Sequence, residues 1–230
     1  MIHSDRPIAI LLLAGIGSRL GKPHPKSMTP LNNGETIISR ALRILRERDL
    51  NILGIVGFKM ELVMEFAPDI YFAYNPRYDT TNTAKSLLAG LHQIDDQDVL
   101  WLNGDVVFEG EIIDRVLAAD GSAVAVNNAR VSDEEVKYTL DGNGFINAIS
   151  KEVRGGLGEA IGINLVRANH LSAFKSKLEE VGDNDYFERA MELLIEERGP
   201  TFRAADVSDL NCIEIDFDED LEAARKMLND

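Results

Sequence analysis

Short aliphatic runs alternate with segments of helical periodicity over the first hundred residues, and this rhythm restricts the fold more than any other feature. Ile8 to Leu13 is continuously apolar, as expected of a strand buried on both faces. Thr36 to Arg48 carries Ile37, Ile38, Ala41, Leu42 and Leu45 at helical spacing. Asn51 to Val56 reads as a second strand, Glu61 to Phe66 as a helical turn or two, and Ile70 to Tyr74 as a third strand. The turn-rich stretch from Asn75 to Asn82 leads into a helix beginning near Thr83 and running through Leu91. Val99 to Leu102 is another buried strand, ending in Asn103-Gly104-Asp105. The alternation predicts an α/β chain built on a Rossmann-like, doubly wound, mixed but mainly parallel sheet, whose ligands lie beyond the carboxyl ends of the strands.

After Asp120 the rhythm changes. Ala123 to Asn127, Lys137 to Leu140 and Phe145 to Ile149 read as short strands, with Asp141-Gly142-Asn143-Gly144 as a hairpin turn between the last two. A strand at Ala160 to Val166 follows, then helices at Asn169 to Glu180 and Tyr186 to Glu197. Cys212 to Ile215 reads as a strand ending at Asp216, before a closing helix from Glu219 to Leu228. No repeat or long linker divides the chain, so the expectation is one domain over residues 1–230, with halves meeting near residue 120.

Charge and composition exclude several function classes. A formal net charge of -15 opposes any general nucleic-acid or anionic-membrane surface. The run Ile8 to Ala14 is too short to span a bilayer, and MIHSDRP lacks the order of a signal peptide. The expectation is a soluble cytoplasmic protein with no nucleic-acid partner and no membrane insertion. Cys212, the single cysteine, permits no internal disulfide and reads as a small apolar residue. Against the acidic background, Arg19, Lys22, His24 and Lys26 fall within eight residues that contain no acid. A cationic patch of that size suits a small polyanion.

That patch adjoins Gly15 and Gly17. Two glycines after a buried strand let backbone amides approach phosphate oxygens that a side chain would exclude. Taken alone they are equally consistent with a plain turn, since the third glycine of the dinucleotide fingerprint and the Gly-Lys-Ser/Thr of a P-loop are both missing. The full stretch LLLAGIGSRLGKPHPKSMTPL, however, resembles the signature of the sugar-1-phosphate nucleotidyltransferase superfamily, in which Leu-Ala-x-Gly-x-Gly-Ser-Arg-Leu is followed by Pro-Lys. The spacing Leu-Ala-Gly, where many members have Leu-Ala-Ala-Gly, is nearer to the phosphocholine and phosphonate cytidylyltransferases. The resemblance implies that Leu13, Ala14, Gly15, Gly17 and Ser18 wrap a triphosphate and that Arg19 and Lys26 contact its phosphates. Transfer at an α-phosphorus builds charge on equatorial oxygens and on departing pyrophosphate, which is the charge such side chains would stabilise.

Asp105 and Asp216 each follow a buried strand. A magnesium ion bound to a nucleotide takes only one or two protein carboxylates, and two strand-end aspartates suit it. In the resembled superfamily an aspartate in the position of Asp105 binds magnesium, and an Ile-Asp-x-x-Glu-Asp-Leu segment, here Ile215 to Leu221, supplies the second. Asp218, Glu219 and Asp220 are read as helix-capping acids instead.

The stretch NPRYDTTNTAKSLLAGL resembles the Asn-x-x-Tyr-x-x-x-Asn-x-x-Ser-Leu segment of the phosphocholine cytidylyltransferases, implying Asn82 and Ser86 near the base or ribose of CTP. The alternative for Asn82 is a helix N-cap. GLGEAIGINL and DNDYFERAMELL resemble the same group's Gly-Glu-x-x-Gly-Ile and Asp-Tyr-x-Glu segments, implying Glu159, Tyr186 and Glu188 in an acceptor-binding lobe. Those residues would suit a cationic amine. Lys151 and Arg154 are candidates to hold the acceptor's phosphonate, with a solvated pair after a strand as the alternative.

A quaternary ammonium would want a fuller aromatic cage than a chain with 7% aromatic residues offers, and Trp101 is read as core. An aminoalkyl phosphonate is therefore favoured over phosphocholine. The resemblance also implies a homodimer as one state of the chain. Rival readings are a sugar-1-phosphate nucleotidyltransferase, a molybdopterin nucleotide transferase and a noncatalytic nucleotide-binding subunit that kept the fold.

Overall fold

The computed structural model describes residues 6–17, 21, 23–32, 34–129, 135–199 and 201–229. Strand β1 (Ile8–Leu13) lies inside a nine-stranded mixed sheet, parallel to β2 (Asn51–Val56) on one side. Helix α1 (Ile37–Glu47) separates the two, opened by a capping box in which Ser39 N–H donates to Thr36 Oγ1 and Thr36 N–H to Ser39 Oγ. Helix α2 (Met60–Phe66) leads to β3 (Tyr71–Tyr74), parallel to β2 at the sheet's edge. Helix α3 (Thr83–Leu91) returns the chain to β4 (Val99–Asn103), which pairs parallel with β1 on its other side.

The second half supplies the antiparallel part. Beyond β5 (Val106–Phe108) and α4 (Glu111–Leu117), β6 (Ser122–Asn127) flanks β9 (Gly158–Val166), which runs antiparallel to both β4 and β6. Strands β7 (Lys137–Leu140) and β8 (Ile146–Ser150) form the expected hairpin, its turn held by Asp141 Oδ1 accepting from the amides of Asn143 and Phe145. Helices α5 (Ala168–Glu180) and α6 (Phe187–Glu196) follow β9, and β10 (Phe202–Asp206) lies parallel to β6. The order β10-β6-β9-β4-β1-β2-β3 bears out the Rossmann-like sheet expected from the alternation. Strand β11 (Cys212–Glu214) pairs antiparallel with β5, and α7 (Asp218–Met227) closes over them. No sequence pattern announced β5, α4 or β10.

Strand pleating explains why β1 is apolar throughout. Ile8, Ile10 and Leu12 enter one buried layer with α3, α5 and α6, while Ala9, Leu11 and Leu13 enter the other with α1 and α4. Trp101, fully buried in β4, stacks on Phe174 at 5.2 Å and meets the edge of Phe187 at 5.6 Å. It is a core residue, and truncating Phe174 beneath it would cost about 3–5 kcal/mol. Among the described residues no helix is long and apolar enough to cross a membrane.

Candidate active site

Leu12 of β1 stands opposite Asn103 of β4 in parallel register, so the two strands end side by side and open into one cleft of about 400 Å³. The turn after β4 passes close against β1: a β-carbon at Gly104 would lie 2.3 Å from the Leu12 carbonyl oxygen. Glycine is therefore required there, and Asp105 is delivered to the cleft directly beneath the loop that follows β1.

The second acidic group arrives from the other end of the sequence. Pairing of β11 with β5 places Glu214 opposite Val106, and Ile215 N–H then donates to the Asp105 carbonyl at 3.0 Å. Ile215 is fully buried under α7. Extended-chain alternation turns its two neighbours, Glu214 and Asp216, toward the cleft. The carboxylate oxygens of Asp105, Glu214 and Asp216 come within 4.8 Å of one another. Asp105 Oδ1 is buried without a hydrogen-bond partner. Three converging carboxylates with one orphaned oxygen fit a hard divalent cation, which takes oxygen ligands. The carboxyl of Glu214 is pushed up to about 8, first by desolvation and then by the charges of Asp105 and Asp216. The residue as a whole is exposed, so the crowding is local to its carboxyl.

Lys26 heads a short 3₁₀ turn, Lys26–Met28, and its Nζ donates to Asp105 Oδ2 and to Asp216 Oδ1, each at 2.7 Å. Burial pulls its ammonium down, but Asp105 and then Asp216 outweigh that effect and leave the pKa raised. Lys26 therefore carries its charge throughout the neutral range. Gly17 packs against the stem of this lysine: with φ at +65°, a β-carbon there would lie 2.8 Å from Lys26 Cβ. At Gly15 an added β-carbon would meet nothing within 4 Å, so that side of the loop faces open space.

Leu13, Ala14, Gly15, Gly17 and Lys26 line the cleft together with Asp105 and Asp216. Asn82 and Ser86 line it too, though both are already engaged. Asn82 is the N-cap of α3, its Oδ1 accepting from Thr83 N–H at 2.8 Å, and the Ser86 hydroxyl accepts from Asn75 Nδ2 at 3.0 Å. Lys151, Tyr186 and Glu188 line the same cleft. Lys151 Nζ lies over the Tyr186 ring, 5.5 Å from its centroid. Burial pushes the Glu188 carboxyl up to about 7, opposed first by a hydrogen bond from its own backbone amide and then by the charge of Lys151.

Glu159 is the exception among the expected acceptor residues. It lies near the start of β9, paired with Asn127 and Lys137, and is not one of the residues that line the cleft. Ser18, Arg19 and Lys22 lie outside the described residues. The sequence reading overlooked Glu214, Ser27 and Tyr78, all on the cleft wall. Glu214 had a usable signal, since Cys-Ile-Glu-Ile-Asp alternates and puts Glu214 and Asp216 on one face.

The family of the MobA-like NTP transferase domain matches residues 9–186, a span that contains the glycine loop, Lys26, Asp105 and Lys151. The chain belongs to this family. CMP-5'-(3-aminopropyl)phosphonate synthase from Streptomyces rubellomurinus (strain ATCC 31215) is 31% identical over 231 residues, covering 90% of this chain and 36% of that protein. The bifunctional protein GlmU of Methanococcus maripaludis (strain C5 / ATCC BAA-1333) is 34% identical over 128 residues, covering 52% of this chain and 29% of the relative. The chain thus spans about a third of the length of these curated relatives.

Among solved structures, the CTP:phosphocholine cytidylyltransferase LicC from Streptococcus pneumoniae superposes with a TM-score of 0.80 at 17% identity, covering 97% of this chain and 99% of the other. The inositol-1-phosphate CTP transferase from T. maritima gives 0.79 at 15% identity, covering 98% of both. At such identities the likeness shows the fold, and it bears out the nucleotidyltransferase architecture. The MobA-like domain also bears out the resemblance first carried by residues 11 to 31.

Proposed function

We propose that this MobA-like domain transfers the cytidylyl group of CTP to an oxygen of a small phosphonate or phosphate acceptor. A new bond joins that oxygen to the α-phosphorus, the bond from the α-phosphorus to the bridging oxygen of the β-phosphate breaks, and pyrophosphate leaves with the electron pair. The observation that carries this reading is the convergence of Lys26, Asp105 and Asp216 under the glycine loop. The curated relative that covers most of this chain, named a CMP-phosphonate synthase, supports phosphonate over sugar phosphate as the acceptor.

The residues divide the work by charge. Backbone amides of the Ala14 to Gly17 loop receive triphosphate oxygens where Gly15 leaves space. Lys26, permanently cationic, stabilises the charge that builds at the α-phosphoryl group. A bound magnesium ion, held by Asp105 and Asp216 with Glu214 beside them, would neutralise triphosphate charge. The attacking oxygen is already anionic, so no general base is needed. Lys151, Tyr186 and Glu188 form the acceptor wall.

The test is pyrophosphate release from each of four nucleoside triphosphates against phosphocholine, 2-aminoethylphosphonate, further small phosphonates and hexose 1-phosphates. Turnover with CTP and a small phosphonate or phosphate acceptor is expected. Preference for a hexose 1-phosphate would overturn the proposal, as would full turnover by Lys26→Ala or Asp105→Ala.

A further inference from the structure

Three side chains at the acceptor end of the cleft have a relation that the resemblance does not supply. Tyr186, the N-cap residue of α6, is exposed, and the face of its ring is already covered by the ammonium of Lys151. Glu188, two residues further on, has a buried Oε2 with no hydrogen-bond partner. Lys151 acts on that carboxylate through its charge, without an ion pair between the two. An anion-seeking and a cation-seeking group therefore line the same cleft, and one oxygen of the second has no hydrogen-bond partner.

We propose that this end of the cleft takes the acceptor's amine as a primary ammonium and refuses a quaternary one, with Glu188 receiving it and Lys151 setting the choice. The inference rests on the phosphonate or phosphate cytidylyltransferase reading above and names the acceptor class within it. A quaternary ammonium has no N–H, so its recognition depends on aromatic faces. Among the described residues three aromatic side chains line the cleft, and none of them is free for that task. Phe187 is 1% exposed and set edge-on against Trp101. Tyr78 packs on Gly57, where an added β-carbon would meet its Cβ at 2.5 Å and the Ala14 carbonyl at 2.7 Å, so it belongs to the glycine-loop side. Tyr186 carries Lys151.

A primary ammonium offers three N–H donors, and the orphaned Glu188 oxygen can accept one. Its charge also replaces the solvation that the carboxylate loses on burial. The anionic end of the same zwitterion answers Lys151, so the acceptor is matched at both ends. Trimethylation removes every N–H donor and adds bulk beside the Lys151 ammonium, so the quaternary cation keeps its charge attraction to Glu188 but gives the orphaned oxygen no hydrogen bond.

The decisive comparison uses the full chain with CTP, magnesium and three acceptors: 2-aminoethylphosphonate, its N,N,N-trimethyl analogue, and ethylphosphonate, which has no amine. Wild type is expected to favour the primary amine over the trimethyl analogue by about tenfold or more in kcat/KM. Glu188→Gln should lower kcat/KM for the primary amine by about tenfold while leaving ethylphosphonate within about twofold. Lys151→Ala should shift the trimethyl-to-primary ratio upward by about fivefold, whatever it does to both absolute rates.

Equal use of the two amines by wild type would overturn the inference and leave the cytidylyltransferase reading intact. So would a loss in Glu188→Gln that falls as heavily on ethylphosphonate, because that pattern marks a merely structural residue. Turnover of hexose 1-phosphate with no phosphonate transferred would overturn both.

Discussion

Lys26 holds the position between Asp105 and Asp216 that a cation shared by the two aspartates would also claim. Removing it has two consequences of opposite sign. In Lys26→Met, kcat in pyrophosphate release is expected to fall by about 10²–10³-fold, because charge at the α-phosphoryl group loses its partner. Affinity for Mn²⁺ without nucleotide is expected to rise by about tenfold, since a competing ammonium has gone and three carboxylates remain. Calorimetric titration of the free protein reads the second effect, and unchanged affinity would show that Lys26 does not compete with the metal. Gly17 tests the same lysine from behind. Gly17→Ala puts a β-carbon against Lys26 Cβ in a left-handed backbone, so about 1–2 kcal/mol of stability and more than about tenfold in kcat should be lost together. Thermal melts and steady-state kinetics on one preparation check both.

Helices α3 and α5 are joined end to side, and that joint positions the acceptor wall. Lys85 of α3 donates from Nζ to the carbonyls of Leu178, Glu179 and Val181, satisfying groups at the end of α5 that have no partner within the helix. The following loop is tied to the start of α3, with Asn82 N–H donating to Asp183 O, Ala84 N–H to Asp185 O and Phe187 N–H to Thr83 Oγ1. Lys85→Met should therefore cost about 1–2 kcal/mol and raise KM for the acceptor by about threefold while leaving KM for CTP unchanged. Equal changes in both constants would mean that the joint supports the whole cleft and not one wall. β1 and β2 were legible in the sequence as continuous apolar runs buried on both faces, and α1 because its buried residues repeat with the helical period. Three others were not. Strand β5 has three residues directly after a tight turn, α4 has seven, and β10 buries only Phe202 fully. Lys26, Asp105 and Asp216 were legible because each sits in a motif or at a strand end. Glu214 shares a face with Asp216 in the alternating Cys-Ile-Glu-Ile-Asp segment, but its meeting with Asp105 comes from the long-range pairing of β11 with β5, and Glu159, expected from a motif match, is not among the residues that line the cleft.

Across the whole molecule, the ionisable groups pull stability in opposite directions with pH, and the acceptor wall sets one of those directions. Asp141, held low by the amides of Phe145 and Asn143, and Asp206 and Asp209, held low by Ser208 and Arg115, favour the folded state above the ordinary carboxylate range. Their contribution is lost as pH falls through their depressed values. His170, held low by burial, likewise favours the fold as pH rises through its range. Glu188 does the reverse. Its carboxyl, moved from 4.5 to about 7, binds a proton more tightly in the folded chain than in the unfolded one, so stability declines between those two values as pH rises. After discounting for the partly open cleft, the burden at pH 8.5 is about 1–2 kcal/mol. Glu188→Gln carries no such burden. The variant is expected to match wild type in urea unfolding at pH 4.5 and to exceed it by that margin at pH 8.5, with the difference opening between. A constant difference at all pH values would assign the effect to packing and not to the carboxylate. The form that costs stability is also the ionised form that an ammonium needs, so binding of 2-aminoethylphosphonate to wild type should tighten as pH passes upward through about 7, and the same substitution should abolish that dependence.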